Sequence, residues 1–171
     1  MKRILALIDH VYEDLELWYP KIRLEEEGYE VIVAAPEAGV TYSGKHGYPC
    51  VSDEAIQDQD SKTYDALLVP GGFAPDKLRR DPKVLSLIQE FEADQKPIAH
   101  ICHAGWMLIS ADILRGRRTT STVGIKDDMN NAGATWVDEA VVIDGNQIAA
   151  RTPKDLAPFS KAFVDALKED R

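Results

Sequence analysis

Four short apolar runs, separated by segments with a helical pattern, most constrain what this chain can fold into. They cover residues 3–8, 29–35 and 65–69, and the residues just before Cys102. A strand that helices cover on both faces of its sheet is apolar throughout, whereas a strand with one wet face alternates. Runs of strand length that alternate with helices therefore predict an α/β sandwich built on a mostly parallel sheet.

The other elements are predicted from their end signals. Helices are expected over residues 14–27, 82–94, 103–114 and 124–131, and from residue 153 to about residue 168. Further strands are expected over residues 118–122, 135–137, 140–143 and 147–150, and a small hairpin over residues 40–51. Pro20 predicts a kink or a late helix start, Asp81 an N-cap, and Thr152 with Asp155 a capping box. Residues 70–76 have the composition of a loop.

Length, charge and cysteine content limit what kind of protein this is. The chain has 171 residues, the size of one domain, so residues 1–171 are predicted to form a single domain. The net charge of −9 argues against nucleic acids and anionic membranes as partners. No apolar run approaches the length of about 18 residues that a transmembrane helix needs. Two cysteines, Cys50 and Cys102, make no disulfide framework, which fits a reducing cytoplasm.

The residues around Cys102 have the sequence form of a nucleophile elbow. A short apolar strand leads into the cysteine, and the small residues Ala104 and Gly105 permit a tight turn into a helix. The positive end of a helix dipole lowers the pKa of a thiol at the helix N-terminus, and the neighbouring His103 is a candidate base. The alternative is a buried core cysteine followed by an ordinary turn.

Three loops at the carboxyl ends of the predicted parallel strands should meet in one crevice. The first carries Glu13, the second carries Gly71 and Gly72, and the third carries Cys102 and His103. Because glycine tolerates positive φ, the N–H groups of Gly71 and Gly72 can turn inward and form an oxyanion hole with that of His103. Two alternatives stay open: the glycines can form a plain turn, and Glu13 can be only a carboxylate at a helix N-terminus.

Seven motifs, in order along nearly the whole chain, resemble those of the ThiJ/PfpI family within the class I glutamine amidotransferase-like superfamily. They are Tyr12-Glu13-Asp14-Leu15-Glu16-Leu17, Gly44-Lys45-His46-Gly47-Tyr48, Leu68-Val69-Pro70-Gly71-Gly72, Ile101-Cys102-His103, Gly124-Ile125-Lys126-Asp127-Asp128, Asn131-Ala132-Gly133-Ala134-Thr135-Trp136-Val137-Asp138 and Arg151-Thr152-Pro153-Lys154-Asp155-Leu156. The chain is most similar to the short, PfpI-type intracellular cysteine peptidases. The resemblance implies a flavodoxin-like three-layer sandwich whose subunits form homodimers or, in PfpI-type members, hexamers.

The resemblance also implies roles for individual residues. Cys102 matches the family's nucleophile, His103 its adjacent catalytic histidine, and Glu13 the acid that lies against the sulfur. Asp76 falls where PfpI-type peptidases present an acid, usually Glu, to the histidine of a neighbouring subunit. Without the resemblance, the residues around Asp76 fit a solvated loop carboxylate or a helix cap as well as they fit a catalytic acid. His100, in the buried strand, is expected to be a core histidine with its hydrogen bonds satisfied.

Several positions depart from the family's pattern. The family usually follows Cys-His with Gly-Pro, where this chain has Ala104-Gly105. A Tyr-Pro pair that is common near the active site of PfpI-type peptidases is Thr122-Val123 in this sequence. Asp76 is one methylene shorter than the usual Glu. The elbow tolerates these changes because Ala and Gly are still small, but the pocket walls and the reach of the acid differ.

The predicted function is that of a PfpI-type cysteine hydrolase, an intracellular peptidase or a protein deglycase or glyoxalase-like enzyme with a stress-protection role. The Cys102 thiolate would add to a carbonyl of a peptide or small molecule, His103 would move the proton, and backbone amides would hold the oxyanion. The alternative is a non-enzymatic redox sensor or chaperone-like protein, in which Cys102 is oxidised to the sulfinate and a protonated Glu13 hydrogen-bonds it. No cofactor is called for, and His46, Cys50, Cys102 and His103 lack the spacing of a structural zinc site.

Overall fold

A seven-stranded sheet forms the centre of the molecule. The computed structural model describes residues 1–169. Numbered along the chain, its strands are β1 Arg3–Leu7, β2 Glu30–Ala35, β3 Thr41–Ser43, β4 Pro49–Val51, β5 Glu54–Ala55, β6 Ala66–Val69, β7 Ile98–Ile101, β8 Arg118–Thr119, β9 Thr135–Trp136, β10 Val141–Asp144 and β11 Gln147–Ala150. The central sheet has the order β10-β11-β7-β6-β1-β2-β5, and β3–β4 and β8–β9 form two separate ribbons.

Most of the central sheet is parallel. Every neighbouring pair runs in the same direction except β10 and β11, which form an antiparallel hairpin at one edge. The central strands β6 and β7 are buried along their whole length, as expected where helices cover both faces of a sheet. The predicted α/β sandwich with a mostly parallel sheet is confirmed, and the carboxyl ends of β1, β6 and β7 lie at one edge, where sites of such sheets form.

The helices pack in two groups. In chain order they are α1 Asp14–Glu26, α2 Ala74–Leu78, α3 Pro82–Ala93, α4 Gly105–Ser110, α5 Lys126–Asn131 and α6 Leu156–Glu169. α1 packs against α6, whereas α4 contacts α2, α3 and α5. Leu17, Phe91, Phe159 and Phe163 are fully buried and bring α1, α3 and α6 into the core. Within residues 1–169, no helix is long and apolar enough to cross a membrane.

The helix ends test the predicted signals. Asp81 accepts a hydrogen bond from the Lys83 N–H, so it caps α3 as predicted. The capping box predicted at Thr152 is wrong, because a 3₁₀ turn intervenes before α6 and the Asp155 carboxylate binds the Arg151 N–H and guanidinium instead. α1 begins at Asp14, so Pro20 does not delay the start of that helix.

Three other segments differ from the prediction. The expected loop over residues 70–76 ends early, because Pro75 occupies the first turn of α2, a position that suits proline. The helix expected over residues 103–114 is a 3₁₀ turn followed by the short α4, and Asp112 with a φ of 55° prevents its continuation. The strand expected over residues 118–122 ends at Thr119, since the chain then turns toward the elbow and Thr122 donates its N–H to the Cys102 carbonyl.

The loop that follows β6 depends on the missing side chain of Gly72. Gly72 and Gly28 both have a φ of +84°, but only Gly72 is crowded. A Cβ on Gly72 would lie 2.5 Å from the Glu13 nitrogen and closer still to the Val11 carbonyl oxygen, whereas a Cβ on Gly28 would have nothing within 4 Å. A substitution at Gly28 therefore measures the backbone strain alone, whereas one at Gly72 measures the strain together with the steric clash.

We expect Gly28→Ala to lower the free energy of unfolding by about 1 kcal/mol, from the left-handed backbone alone, and Gly72→Ala by about 2–4 kcal/mol, because the clash adds to that strain. Urea unfolding of the two variants and the wild type measures this difference. Equal losses would show that the loop relaxes around the added methyl group and that close packing at Gly72 is not required.

Candidate active site

Cys102 directly follows β7 and is the first residue of the 3₁₀ turn that leads to α4. Its φ of 61° lies in the left-handed region, which residues other than glycine rarely adopt. Such strain costs on the order of 1–3 kcal/mol and persists where the surrounding structure holds it in place. The elbow that the sequence predicts is therefore present, and it presents the sulfur at the carboxyl edge of the sheet.

Two glycines make room for this turn. A Cβ on Gly71 would lie 2.9 Å from the Cys102 Cβ and 2.6 Å from Glu16 Oε1. A Cβ on Gly105 would lie 2.6 Å from the sulfur of Met129, so the glycine at this position lets α4 pack closely on α5. The requirement for small residues after the cysteine thus comes from helix packing as well as from the turn itself.

Polar groups from two loops surround the thiol. The Cys102 sulfur lies 3.3 Å from His103 Nδ1, and the backbone N–H groups of His103 and Gly72 donate hydrogen bonds that lower the pKa of the thiol. The predicted role of Gly71 in the oxyanion hole needs correction, because its N–H donates to Glu16 Oε1 at 2.9 Å. Two of the three predicted amides, those of Gly72 and His103, face the sulfur.

The acid beside the sulfur is Glu16, not Glu13. The Glu16 side chain is fully buried and its carboxyl interacts with the Cys102 thiol. Glu13 is the N-cap of α1, and its Oε2 accepts the N–H of Glu16 at 3.0 Å. The predicted assignment fails because a capping carboxylate turns back onto its own helix, and the side chain nearly one turn further on reaches the end of β7. No local pattern predicts this, because Leu15 is 56% exposed and the neighbouring Glu16 is fully buried, the reverse of what their polarity suggests.

Burial keeps a proton on Glu16. Burial, followed by the negative charge of Glu13, raises the pKa of Glu16 to about 8, so its carboxyl is mostly neutral at pH 7. Burial, followed by the negative charge of Glu16, raises the pKa of the Cys102 thiol to about 12, so the lowered pKa expected at a helix N-terminus is wrong. With the proton in place, Glu16 can donate a hydrogen bond to the sulfur instead of repelling the thiolate.

His103 is suited to accept the proton of the thiol. The imidazole is half-buried and its ring lies 5.0 Å from that of Trp106, with the planes tilted. Burial and the positive charge of Lys45 lower the pKa of His103, so the ring is neutral at pH 7. Among residues 1–169, its hydrogen-bonding side-chain partner is Cys102, and Asp76 instead pairs with Arg80 at 2.7 Å.

Lys45 is a residue of the site that the sequence analysis missed. It lies in the turn between β3 and β4, and its positive charge acts on Glu16, Cys102 and His103. The turn is held beside the elbow by Tyr12, whose carbonyl accepts the Lys45 N–H at 2.8 Å. The motif Gly44-Lys45-His46-Gly47-Tyr48 was the available signal, but its sequence does not show that the hairpin folds back over the thiol.

Glu13, Asp14 and His46 place ligand atoms within 4.8 Å of one another, as a metal site would. Both Asp14 oxygens, however, accept backbone N–H groups, from His46 and Tyr48 at 2.8 Å each. Glu13 Oε2 is bound to the first turn of α1, which leaves its Oε1, 3.6 Å from His46 Nε2. Two uncommitted side chains are fewer than the three or four that hold zinc, so the cluster is best explained as a helix cap that supports the turn.

His100 is a core histidine, as predicted, but its hydrogen bonds are not all satisfied. Its side chain is 1% exposed, and Nε2 has no hydrogen-bond partner within the described part of the chain. Burial lowers its pKa to about 4, so the ring is neutral at pH 7. The prediction of a fully satisfied histidine is therefore wrong for Nε2.

The raised pKa of Glu16 makes stability depend on pH. In the unfolded chain the carboxyl titrates near 4.5, and in the folded protein near 8. Between these values the folded protein holds a proton that the unfolded chain releases, so the free energy of unfolding should fall as the pH rises from 4.5 to about 8. Glu16→Gln, which cannot titrate, should lose this part of the pH dependence.

Urea unfolding at both ends of this pH range, for the wild type and Glu16→Gln, measures the effect. Asp127→Asn, at an exposed position on α5, is the control and should keep the wild-type profile. Parallel profiles for the wild type and Glu16→Gln would mean that Glu16 is ionised in the folded protein.

Comparison with known proteins agrees with this geometry. A model of the DJ-1/PfpI family matches residues 2–166. Deglycase PfpI of Pyrococcus furiosus is 45% identical over 166 residues, which cover 97% of this chain and 99% of that protein. The putative cysteine protease YraA of Bacillus subtilis is 40% identical over 167 residues, which cover 98% of this chain and 99% of that protein.

Solved structures agree as well. A two-domain protein from Anabaena variabilis with DJ-1/ThiJ/PfpI-like and ferritin-like domains superposes with a TM-score of 0.96 at 38% identity, over 98% of this chain and 48% of that one. DJ-1beta of Drosophila melanogaster superposes with a TM-score of 0.90 at 25% identity, over 96% of this chain and 89% of that one. The fold is therefore the flavodoxin-like sandwich of these proteins, and the chain belongs to the DJ-1/PfpI family.

Proposed function

We propose that this protein is a PfpI-type cysteine hydrolase in which Cys102 attacks the carbonyl carbon of a peptide or of a carbonyl adduct. The observation that carries the proposal is the strained elbow, which sets the thiol 3.3 Å from His103 Nδ1 and within reach of two backbone N–H groups. Relatives named deglycase and putative cysteine protease, at 45% and 40% identity, support the same chemistry.

The protonation states of Cys102 and His103 suit this reaction. The raised pKa of Cys102 means that the thiol is protonated at rest, so a base must take its proton as the sulfur attacks. Neutral His103 is that base, and the resulting imidazolium later returns the proton to the leaving group. The N–H groups of Gly72 and His103 stabilise first the thiolate and then the oxyanion that forms beside it.

A non-enzymatic redox sensor is the less favoured alternative. A protonated carboxyl beside the sulfur would stabilise a sulfinate, and Glu16 could supply it. A sensor needs no base, however, whereas the imidazole of His103 lies against the sulfur. An enzyme that removes carbonyl adducts would also protect the cell from stress, so the proposal includes that role.

Replacing Cys102 with Ser should lower turnover by roughly 10³-fold or more on every substrate that the wild type accepts. The substrate panel is a fluorogenic peptide, methylglyoxal and a glycated amino acid, which separates peptidase from glyoxalase and deglycase activity. Cys50→Ser is the matched control and should keep wild-type rates, because Cys50 is buried in β4 and its sulfur lies beside the Val51 carbonyl, whereas that of Cys102 lies beside a histidine. Wild-type rates for Cys102→Ser would overturn the proposal.

We also propose that the protein self-associates. Leu15, Ile22 and Tyr48 are each more than half exposed, at 56%, 52% and 59%. They surround a cavity of about 610 Å³ between α1 and the β3–β4 turn, whose other lining residues include Trp18 and His46. A continuous apolar surface of this kind favours burial against a partner, and a second copy fits the homo-oligomer that the family resemblance implies.

Within such an oligomer, Asp76 of one subunit would orient His103 of another. Two observations support this: within residues 1–169, His103 forms no hydrogen bond or ion pair with an acid, and Asp76 lies half-exposed on α2, where it pairs with the exposed Arg80. A carboxylate on the imidazole would fix its orientation and stabilise the imidazolium that forms during attack.

Asp76→Ala should then lower kcat by ~10- to 10⁴-fold without loss of fold. Arg80→Ala is the matched control, since it breaks the same surface ion pair but should leave kcat unchanged. Asp76→Ala and Cys102→Ala subunits, each impaired alone, should regain activity when mixed, because some sites combine an intact thiol with a neighbour's intact Asp76. No recovery despite subunit exchange would rule out a shared site.

A further inference from the structure

A single hairpin turn brings Lys45 to the edge of the active site. Tyr12 forms backbone bridges to both Gly44 and Gly72, so the hairpin and the loop of the N–H donor are joined through one residue. The Asp14 carboxylate accepts hydrogen bonds from the N–H groups of His46 and Tyr48, which holds the turn against the start of α1. The backbone of Lys45 is thus held firmly while its side chain is exposed.

The ammonium group of Lys45 is not neutralised by a neighbour. Within residues 1–169 it forms no ion pair. Other exposed lysines such as Lys77 also form none, but the charge of Lys45 acts on Cys102 and His103. Neither carboxyl group beside the site pairs with it: Glu16 binds the Gly71 N–H, and Glu13 caps α1 through Oε2 while its Oε1 lies 3.6 Å from His46 Nε2. An exposed, unpaired cation beside a nucleophile leaves a place for an anion that arrives with the substrate.

We propose that Lys45 binds a carboxylate on the substrate, so that the site prefers carbonyl compounds or adducts that carry an anionic group near the reacting carbon. The inference rests on the proposed function for its substrate class, but the preference for an anion can be measured at Cys102 without any substrate. Lys45 is exposed on the turn that Tyr12 joins to the loop of Gly72, so its flexible side chain can follow the carboxylate of an incoming molecule.

Alkylation of Cys102 by two reagents tests the charge preference without any turnover. Iodoacetate and iodoacetamide react with a thiolate by the same displacement and differ mainly in charge. The ratio of their two rates, normalised to a free thiol, cancels any change in the pKa of Cys102, and peptide mapping separates Cys102 from Cys50. We expect the ratio to favour iodoacetate in the wild type and to fall roughly three- to tenfold in Lys45→Met.

Two further variants complete the experiment. Lys45→Arg keeps the charge and should retain the wild-type ratio, and Lys77→Met removes an exposed lysine from α2 and should leave it unchanged. Raising the salt concentration should weaken the preference for iodoacetate in the wild type but not in Lys45→Met.

A ratio that stays the same in Lys45→Met, with both rates lowered equally, would overturn the inference, because Lys45 would then act only on the thiol. A loss of the same size in Lys77→Met would overturn it as well, since the effect would come from net charge. Neither result bears on whether Cys102 turns over a substrate, so failure of the inference and failure of the proposed function are distinguishable.

Discussion

The contact between the buried Glu16 carboxyl and the Cys102 thiol is the interaction on which the rest of the site depends. Glu16 comes from α1 and Cys102 from the end of β7, and Gly71, between β6 and α2, donates its N–H to the same carboxyl. One neutral acid thus joins the three loops that leave the carboxyl edge of the sheet. Because a charged carboxyl there would face both burial and the repulsion of Glu13, the geometry and the protonation state support each other.

A neutral acid and a neutral histidine leave the thiol in a site with little charge of its own. A thiolate there is stabilised by dipoles, from the N–H groups of Gly72 and His103, and by the positive charge of Lys45. Fixed dipoles need no rearrangement when the negative charge moves from the sulfur to a substrate oxygen. The raised pKa of Cys102 is therefore compatible with catalysis, provided that the base removes the proton during the attack.

The fold was largely predictable because a strand that is buried on both faces of its sheet is apolar along its whole length. The contact between Cys102 and His103 was also predictable, since the two residues are adjacent in the chain. The position of Glu16 was not predictable. The packing of α1 against α6, a contact between distant parts of the sequence, decides which face of α1 meets the end of β7. Lys45 depends likewise on the bridges of Tyr12, which no local pattern reports.

The site has a fixed inner part and an adjustable outer part. The thiol and its N–H donors are built on strand ends and close backbone packing, where even one added methyl group would clash. Lys45 and His46 instead project from an exposed turn, and Val123, at the position of the family's usual proline, is 72% exposed. Substitutions in this outer part can change which carbonyl compounds approach the sulfur without disturbing the elbow. A change of residue in the turn or at residues 122–123 is therefore expected to alter the approach to the sulfur, while the inner site keeps its geometry.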